Sequence, residues 1–209
     1  MTGIARRSGL LVLLASAFIL GGCAFGTRNP TLTYPPTSES GATSIAYAAE
    51  RPTLRSAQIV LNRFVDQRSD TKTVGTVRNA WGMRTADVIP TNSVSDWVTQ
   101  AVKTELERNG YTVTEGNSGD SPASTSVVVS GDILNAFCDM YFSYTGQVSL
   151  VTRVQQGGKE VLNRHYAGEG SAGVAFAATG ESYAQSLALA LSSALRQFVA
   201  DLGKSLSAQ

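Results

Sequence analysis

Residues 126–167, "SVVVSGDILNAFCDMYFSYTGQVSLVTRVQQGGKEVLNRHYA", decide the fold class. Ser126 to Leu134 is β-branched and apolar, which suits a strand covered on both faces for part of its length. Further on, Cys138, Met140, Phe142, Tyr144, Val148 and Leu150 share even parity, whereas Asp139, Ser143, Gln147, Ser149 and Arg153 share odd parity. Successive side chains of a strand point to opposite faces, so this stretch predicts one core face and one wet face. Tyr141 and Val151 interrupt the wet side. Gln155-Gln156-Gly157-Gly158 predicts a hairpin turn, with Lys159 to Ala167 as the return strand.

Outward from this sheet, Ile59 to Val65 reads as an earlier strand, Asp66 to Thr76 as a loop, and Ala86 to Pro90 as a short edge segment. Ser93 and Asp96 stand in capping-box spacing before a helix with Val94, Trp97, Val98, Ala101, Val102 and Leu106 on one face. Asn109-Gly110 ends that helix, Tyr111 to Thr114 is a short strand, and Gly116 to Ser126 is a polar loop. A glycine- and alanine-rich loop from Gly168 to Gly180 leads to a last helix striped by Tyr183, Leu187, Leu191, Leu195, Phe198, Leu202 and Leu206. The expected class is α+β: a mostly antiparallel sheet of about four to five strands with two helices packed on one face.

The chain begins differently. Arg6 and Arg7 precede an apolar run from Leu10 to Leu20, the layout of a secretory signal. The uncharged stretch is shorter than the roughly 20 residues a spanning helix needs. Leu20-Gly21-Gly22-Cys23 resembles the lipobox of bacterial lipoproteins. That resemblance implies a diacylglyceryl group on the Cys23 sulfur, cleavage just before it and acylation of the freed amine. At about 0.8 kcal/mol per buried methylene, two or three acyl chains anchor a domain where one holds only marginally. Ala24 stands where an aspartate commonly retains such proteins at the inner membrane, so the resemblance implies an outer-membrane anchor with the body facing the periplasm. The expected organisation is a signal peptide over 1–22, a lipid-anchored linker over 23–55 and one periplasmic domain over 56–209. Proline, serine, threonine and glycine dominate the linker, which predicts a loose coil spanning roughly 30 Å.

Formal net charge is +1, with no clustered basic tract, so nucleic acid is not an expected partner. With Cys23 lipidated, Cys138 is left unpaired; its neighbours Phe137, Met140 and Phe142 predict a buried, inert thiol. There is no CxxC motif or Cys/His cluster, so neither a metal nor another cofactor is expected.

The strand end at Asp66-x-Arg68, then Val74-Gly75, Asn79, Gly82-Met83, Ala86, Trp97-Val98 and the helix end from Leu106 to Tyr111, resemble the YajG-like family of uncharacterised bacterial lipoproteins. The resemblance spans Ile59 to about Asp201. It implies a membrane address and carries no established reaction.

Asp66, Arg68, Trp81 and Met83 are the candidate partner-binding residues. Arg68 after a strand can bind a carboxylate or phosphate with two prongs; the alternative is a turn in which Asp66 accepts backbone N–H groups and Arg68 pairs with a neighbouring carboxylate to brace the loop. Trp81-Gly82-Met83 is a docking aromatic or a plug over the core. His165, the single histidine, has no G-x-S-x-G elbow before it and reads as a surface or edge residue. Asp132, Asp139, Glu160 and Glu169 fall on neighbouring strands at separations the sequence leaves open. The expected function is a non-catalytic accessory, held to the membrane through lipid on Cys23, that binds an envelope protein in assembly or transport. The alternative is a ligand-binding module for glycan, peptidoglycan fragment or lipid, with Phe137, Tyr141, Phe142 and Tyr144 lining a groove.

Overall fold

In a computed structural model of the protein, the structure describes residues 26–34, 57–116, 127–174 and 178–207. The signal segment, Cys23, residues 35–56 and most of the polar loop before residue 127 lie outside them. In chain order the elements are β1 (Gln58–Asn62), β2 (Val65–Asp66), β3 (Gly75–Arg78), β4 (Arg84–Val88), α1 (Val94–Arg108), β5 (Thr112–Gly116), β6 (Val127–Met140), β7 (Tyr144–Gln156), β8 (Lys159–Gly170) and α2 (Gly180–Ser207).

The long strand β6 is the spine. Along one edge it pairs antiparallel with β7, from Val127↔Gln156 to Met140↔Tyr144, and β7 continues antiparallel into β8. Three short strands take the other edge in turn, all parallel to it: β1 at Ile59↔Val127, β2 at Val65↔Asp132 and β3 at Gly75↔Cys138. β5 adds parallel to β1, and β4 adds antiparallel to β3.

The result is an eight-stranded mixed sheet, not the mostly antiparallel sheet of four to five strands expected from the sequence. Alternation reports which face a residue occupies and says nothing of the direction of the neighbouring strand. Asp66 and Gly75-Thr76, read as loop, belong to β2 and β3. Strands of two and four residues are too short to display a period.

The even-parity run from Cys138 to Leu150 is likewise two strands. Tyr141, Phe142 and Ser143 turn the chain between β6 and β7, and parity survives only because Met140 and Tyr144 are register partners. A bulge between Ile133 and Asn135 switches the buried side from Val127, Val129 and Ile133 to Ala136, Cys138 and Met140. The return strand also extends three residues beyond Ala167, to Gly170.

The helices follow the sequence reading. The Ser93 hydroxyl caps α1 by accepting from the Asp96 N–H at 3.2 Å, the six apolar residues of its stripe are buried, and Gly110 takes the left-handed conformation just past its end. Tyr183, Leu187, Leu191, Leu195, Phe198 and Leu202 of α2 are buried. Both helices join one core with Ile59, Leu61, Val129 and Leu150 of the sheet.

Residues 26–34 lie within the stretch whose composition reads as linker, and here they form a strap on the domain. The Arg28 N–H donates to Asp87 O at 3.0 Å and the Ile89 N–H to Arg28 O at 2.8 Å, a parallel bridge beside β4. Leu32 is buried, its N–H donating to Asn92 Oδ1 at 2.8 Å while Asn92 Nδ2 donates back to Leu32 O at 3.0 Å. Trp97 Nε1 donates to Thr33 O at 3.0 Å and the Tyr34 hydroxyl to Glu105 Oε1 at 2.6 Å. An extended segment lying on a finished domain needs no core of its own, so its composition resembles that of a coil.

Candidate functional site

Two clusters arise from the segments around β2, β3 and β4. In the first, Arg68 is buried and turned inward. Its Nε and Nη2 donate to the two carboxylate oxygens of Asp66, each at 2.9 Å. Nη1 donates to Thr73 O at 2.7 Å and Ala136 O at 3.3 Å, and Nη2 also donates to Thr71 O at 3.0 Å. A guanidinium has five N–H groups, and here all five are engaged. Asp70 completes the brace by accepting from the N–H groups of Lys72 and Thr73 and from the Thr73 hydroxyl, contacts with Thr73 foremost that hold its carboxyl below the usual range. Asp66 and Arg68 thus shape the loop and leave no donor for a partner.

Trp81 and Met83 make up the second cluster, at the tip of the β3–β4 hairpin, and point outward with 81% and 59% of their surface exposed. The loop beneath them is held firmly. The Asn79 side-chain oxygen accepts from the N–H groups of Trp81 and Met83, both at 3.0 Å, and Arg78 Nη1 donates to Gly82 O at 3.0 Å. Gly82 adopts a φ of +79°, which a side chain there would strain, and the Tyr141 ring lies against it.

Tyr141 and Phe142, from the β6–β7 turn, stand beside this tip. Their ring centroids are 4.0 Å apart, the Tyr141 hydroxyl reaches Ala80 O at 3.5 Å, and Phe142 is 66% exposed. Val174 joins through a bridge to Ser143 and is also exposed. Five large apolar side chains from three loops therefore share one end of the molecule. Trp81 and Met83 were named from the sequence; Tyr141, Phe142 and Val174 were not placed with them, and the apolar Tyr141 on an otherwise wet parity was the available signal.

The sheet face opposite the helices is polar. Arg153 pairs with Asp132, Gln147 with Glu169 at 3.1 Å, and Ser149 with His165 at 2.5 Å. Burial pushes the Asp139 carboxyl up, but Arg78 at 2.8 Å and the Thr76 hydroxyl at 3.0 Å outweigh it and hold the group below the ordinary carboxylate range. Asp132 and Asp139 lie along the same strand, roughly 20 Å apart at a rise of about 3.3 Å per residue. Paired-carboxylate glycoside hydrolysis uses separations of about 5–9.5 Å. Ser149 and His165 form a pair, and no hydrogen bond joins the imidazole to a carboxylate among the described residues.

Burial pushes the Cys138 thiol up to about 12, so at neutral pH it is a packed sulfhydryl, not a nucleophile. The aromatic residues expected to line a groove are dispersed: Tyr144 is buried against Tyr183 in the core, Phe137 is half-buried, and Tyr141 and Phe142 stand at the tip. Among the described residues no group of three or more His, Cys, Asp or Glu could hold a metal, and no helix is long and apolar enough to cross a membrane.

A family model described as an uncharacterized lipoprotein matches residues 46–203. No curated protein matches the chain. Among solved structures, protein XCC0632 from Xanthomonas campestris has 13% identity and a TM-score of 0.57, covering 87% of this chain and 97% of its own; this is a likeness of fold alone. The hypothetical protein CT253 from Chlamydia trachomatis (10% identity, TM-score 0.49) and lipoprotein GNA1162 from Neisseria meningitidis (12%, 0.36) each align with 73% of this chain and 99% of their own. Those scores are too low to extend the argument.

Proposed function

The chain belongs to this uncharacterized lipoprotein family, and from that premise we propose that it is a lipid-anchored, non-catalytic accessory on the periplasmic side of the outer membrane, where it binds an envelope protein. The observation that carries this reading is the strap. Arg28 to Tyr34 is bonded to β4, α1 and the loop between them, and the described strap starts at Gly26, three residues after Cys23. Lipid on Cys23 would thus be attached only a few residues from the folded body. The lipobox resemblance and Ala24 support the anchor and its membrane.

The surface suited to a protein partner is the open face of β6, β7 and β8. Arg153 with Asp132, Gln147 with Glu169 and Ser149 with His165 pair across its strands, so it presents an ordered polar pattern. The test is a crosslinked pull-down from membranes of cells carrying the native chain or Cys23→Ala. A specific envelope protein recovered with the native chain and lost with Cys23→Ala is the expected result. Recovery of no protein from either sample, with the native chain still in the outer membrane, would remove the adaptor and leave the anchor.

A further inference from the structure

The start of the strap is bridged to β4, the strand that leaves the apolar tip. At Arg28↔Val88 the strap runs parallel to β4, so the chain upstream of Arg28 points toward the hairpin tip from which β4 emerges. Met83 precedes Val88 by the same number of residues as Cys23 precedes Arg28. At about 3.3–3.6 Å per residue, either interval spans at most roughly 18 Å. Chain length therefore keeps Cys23 within roughly 18 Å of Arg28, upstream of a strap that at this bridge is directed toward the β3–β4 tip.

That end exposes Trp81, Met83, Tyr141, Phe142 and Val174 together, on loops fixed by Asn79, Arg78 and the Ser143–Val174 bridge. Tryptophan and tyrosine favour the boundary between headgroups and acyl chains, where an apolar ring and a polar edge are both accommodated. A protein occupant would leave unexplained why the patch lies toward the end to which the strap upstream of Arg28 is directed.

We infer that these five side chains insert into the bilayer interface beside the acylated Cys23, holding the domain tip-down against the membrane with its open sheet face free for a partner. The inference rests on lipidation of Cys23. Acyl chains and an aromatic tip then act as two attachments, one flexible and one rigid, and the second sets orientation.

The test uses the native chain purified from membranes and reconstituted in vesicles of phosphatidylethanolamine and phosphatidylglycerol, with and without bromine-labelled acyl chains. Trp97 is buried and supplies the background. Subtracting the emission of Trp81→Phe isolates Trp81. The expected result is a blue-shifted Trp81 emission that brominated lipid largely quenches and aqueous iodide does not. A chain that floats with the vesicles while Trp81 remains red-shifted and iodide-accessible would overturn the inference and leave the anchor intact. A chain that does not float, or lacks the acyl mass on Cys23, would remove both. Protection of Trp81 in native envelopes but not in protein-free vesicles would overturn the lipid contact in favour of a protein one. Trp81→Ser with Phe142→Ser changes only exposed side chains; in the vesicles it should leave flotation intact and let the domain tumble more freely, read as a loss of fluorescence anisotropy from a dye on Glu169→Cys.

Discussion

Arg68 directs all five N–H groups inward, to the Asp66 carboxylate and three backbone carbonyls. Lysine has three donors on a flexible stem and cannot reproduce a planar fork, so Arg68→Lys leaves carbonyls without partners and Asp66 half-paired. With Arg68 buried, the expected loss is about 1–3 kcal/mol, the order seen when buried polar groups lose their hydrogen-bond partners. Urea unfolding monitored by circular dichroism checks it; a change within about 0.5 kcal/mol would mark the residue as an ordinary surface site. The Asp66-x-Arg68 pair was legible in the sequence as either a contact patch or a turn brace. Which of these it is depends on Thr71, Thr73 and Ala136, whose carbonyls come together only when β2 and β3 dock along β6.

At the scale of elements, α2 lies so close to β7 and β8 that Gly146, Gly168 and Gly170 have no room for a side chain. A Cβ at Gly168 would stand 2.1 Å from Ala190 O and 2.7 Å from Ala194 N, and one at Gly146 would stand 2.5 Å from Ser186 O. These are backbone atoms, which cannot rotate aside as a side chain end can. Gly168→Ala should therefore force α2 off the sheet, costing about 3 kcal/mol as overpacking does, and Ala190→Gly should not rescue it. Gly158→Ala, at a turn with open space and a φ of +78°, should cost only about 1–2 kcal/mol from its backbone conformation. Thermal unfolding of the two variants separates crowding from local strain; equal losses would refute the close-packing argument. The alanine- and serine-rich flank of α2 and the glycines after Ala167 were visible in the sequence. They read as a deep helix and a loop because what makes Gly168 and Gly170 strand residues is their pairing with Val148 and Gly146 of β7, which glycine composition does not signal.

For the whole molecule, the strap decides whether the anchor and the body move together. Leu32 is buried to 3% exposure, so Leu32→Ala should cost about 2–4 kcal/mol, as deletion of a core leucine does, whereas the same change in a loose tether stays within about 0.5 kcal/mol. Urea midpoints of the purified chains distinguish the two. The sequence by itself determined the α+β class, both helices with their buried stripes, the caps of the first, the Gly157-Gly158 hairpin and the expectation of a lipid anchor. Each of these depends on neighbours within a few residues or on a local motif. Tertiary structure alone decided that the sheet is mixed, that Tyr141 and Phe142 turn outward beside Trp81, and that residues 26–34 are strap and not tether. These outcomes depend on which strand lies beside which, and the hydrogen bonds that join one strand edge to the next leave no trace in side-chain periodicity.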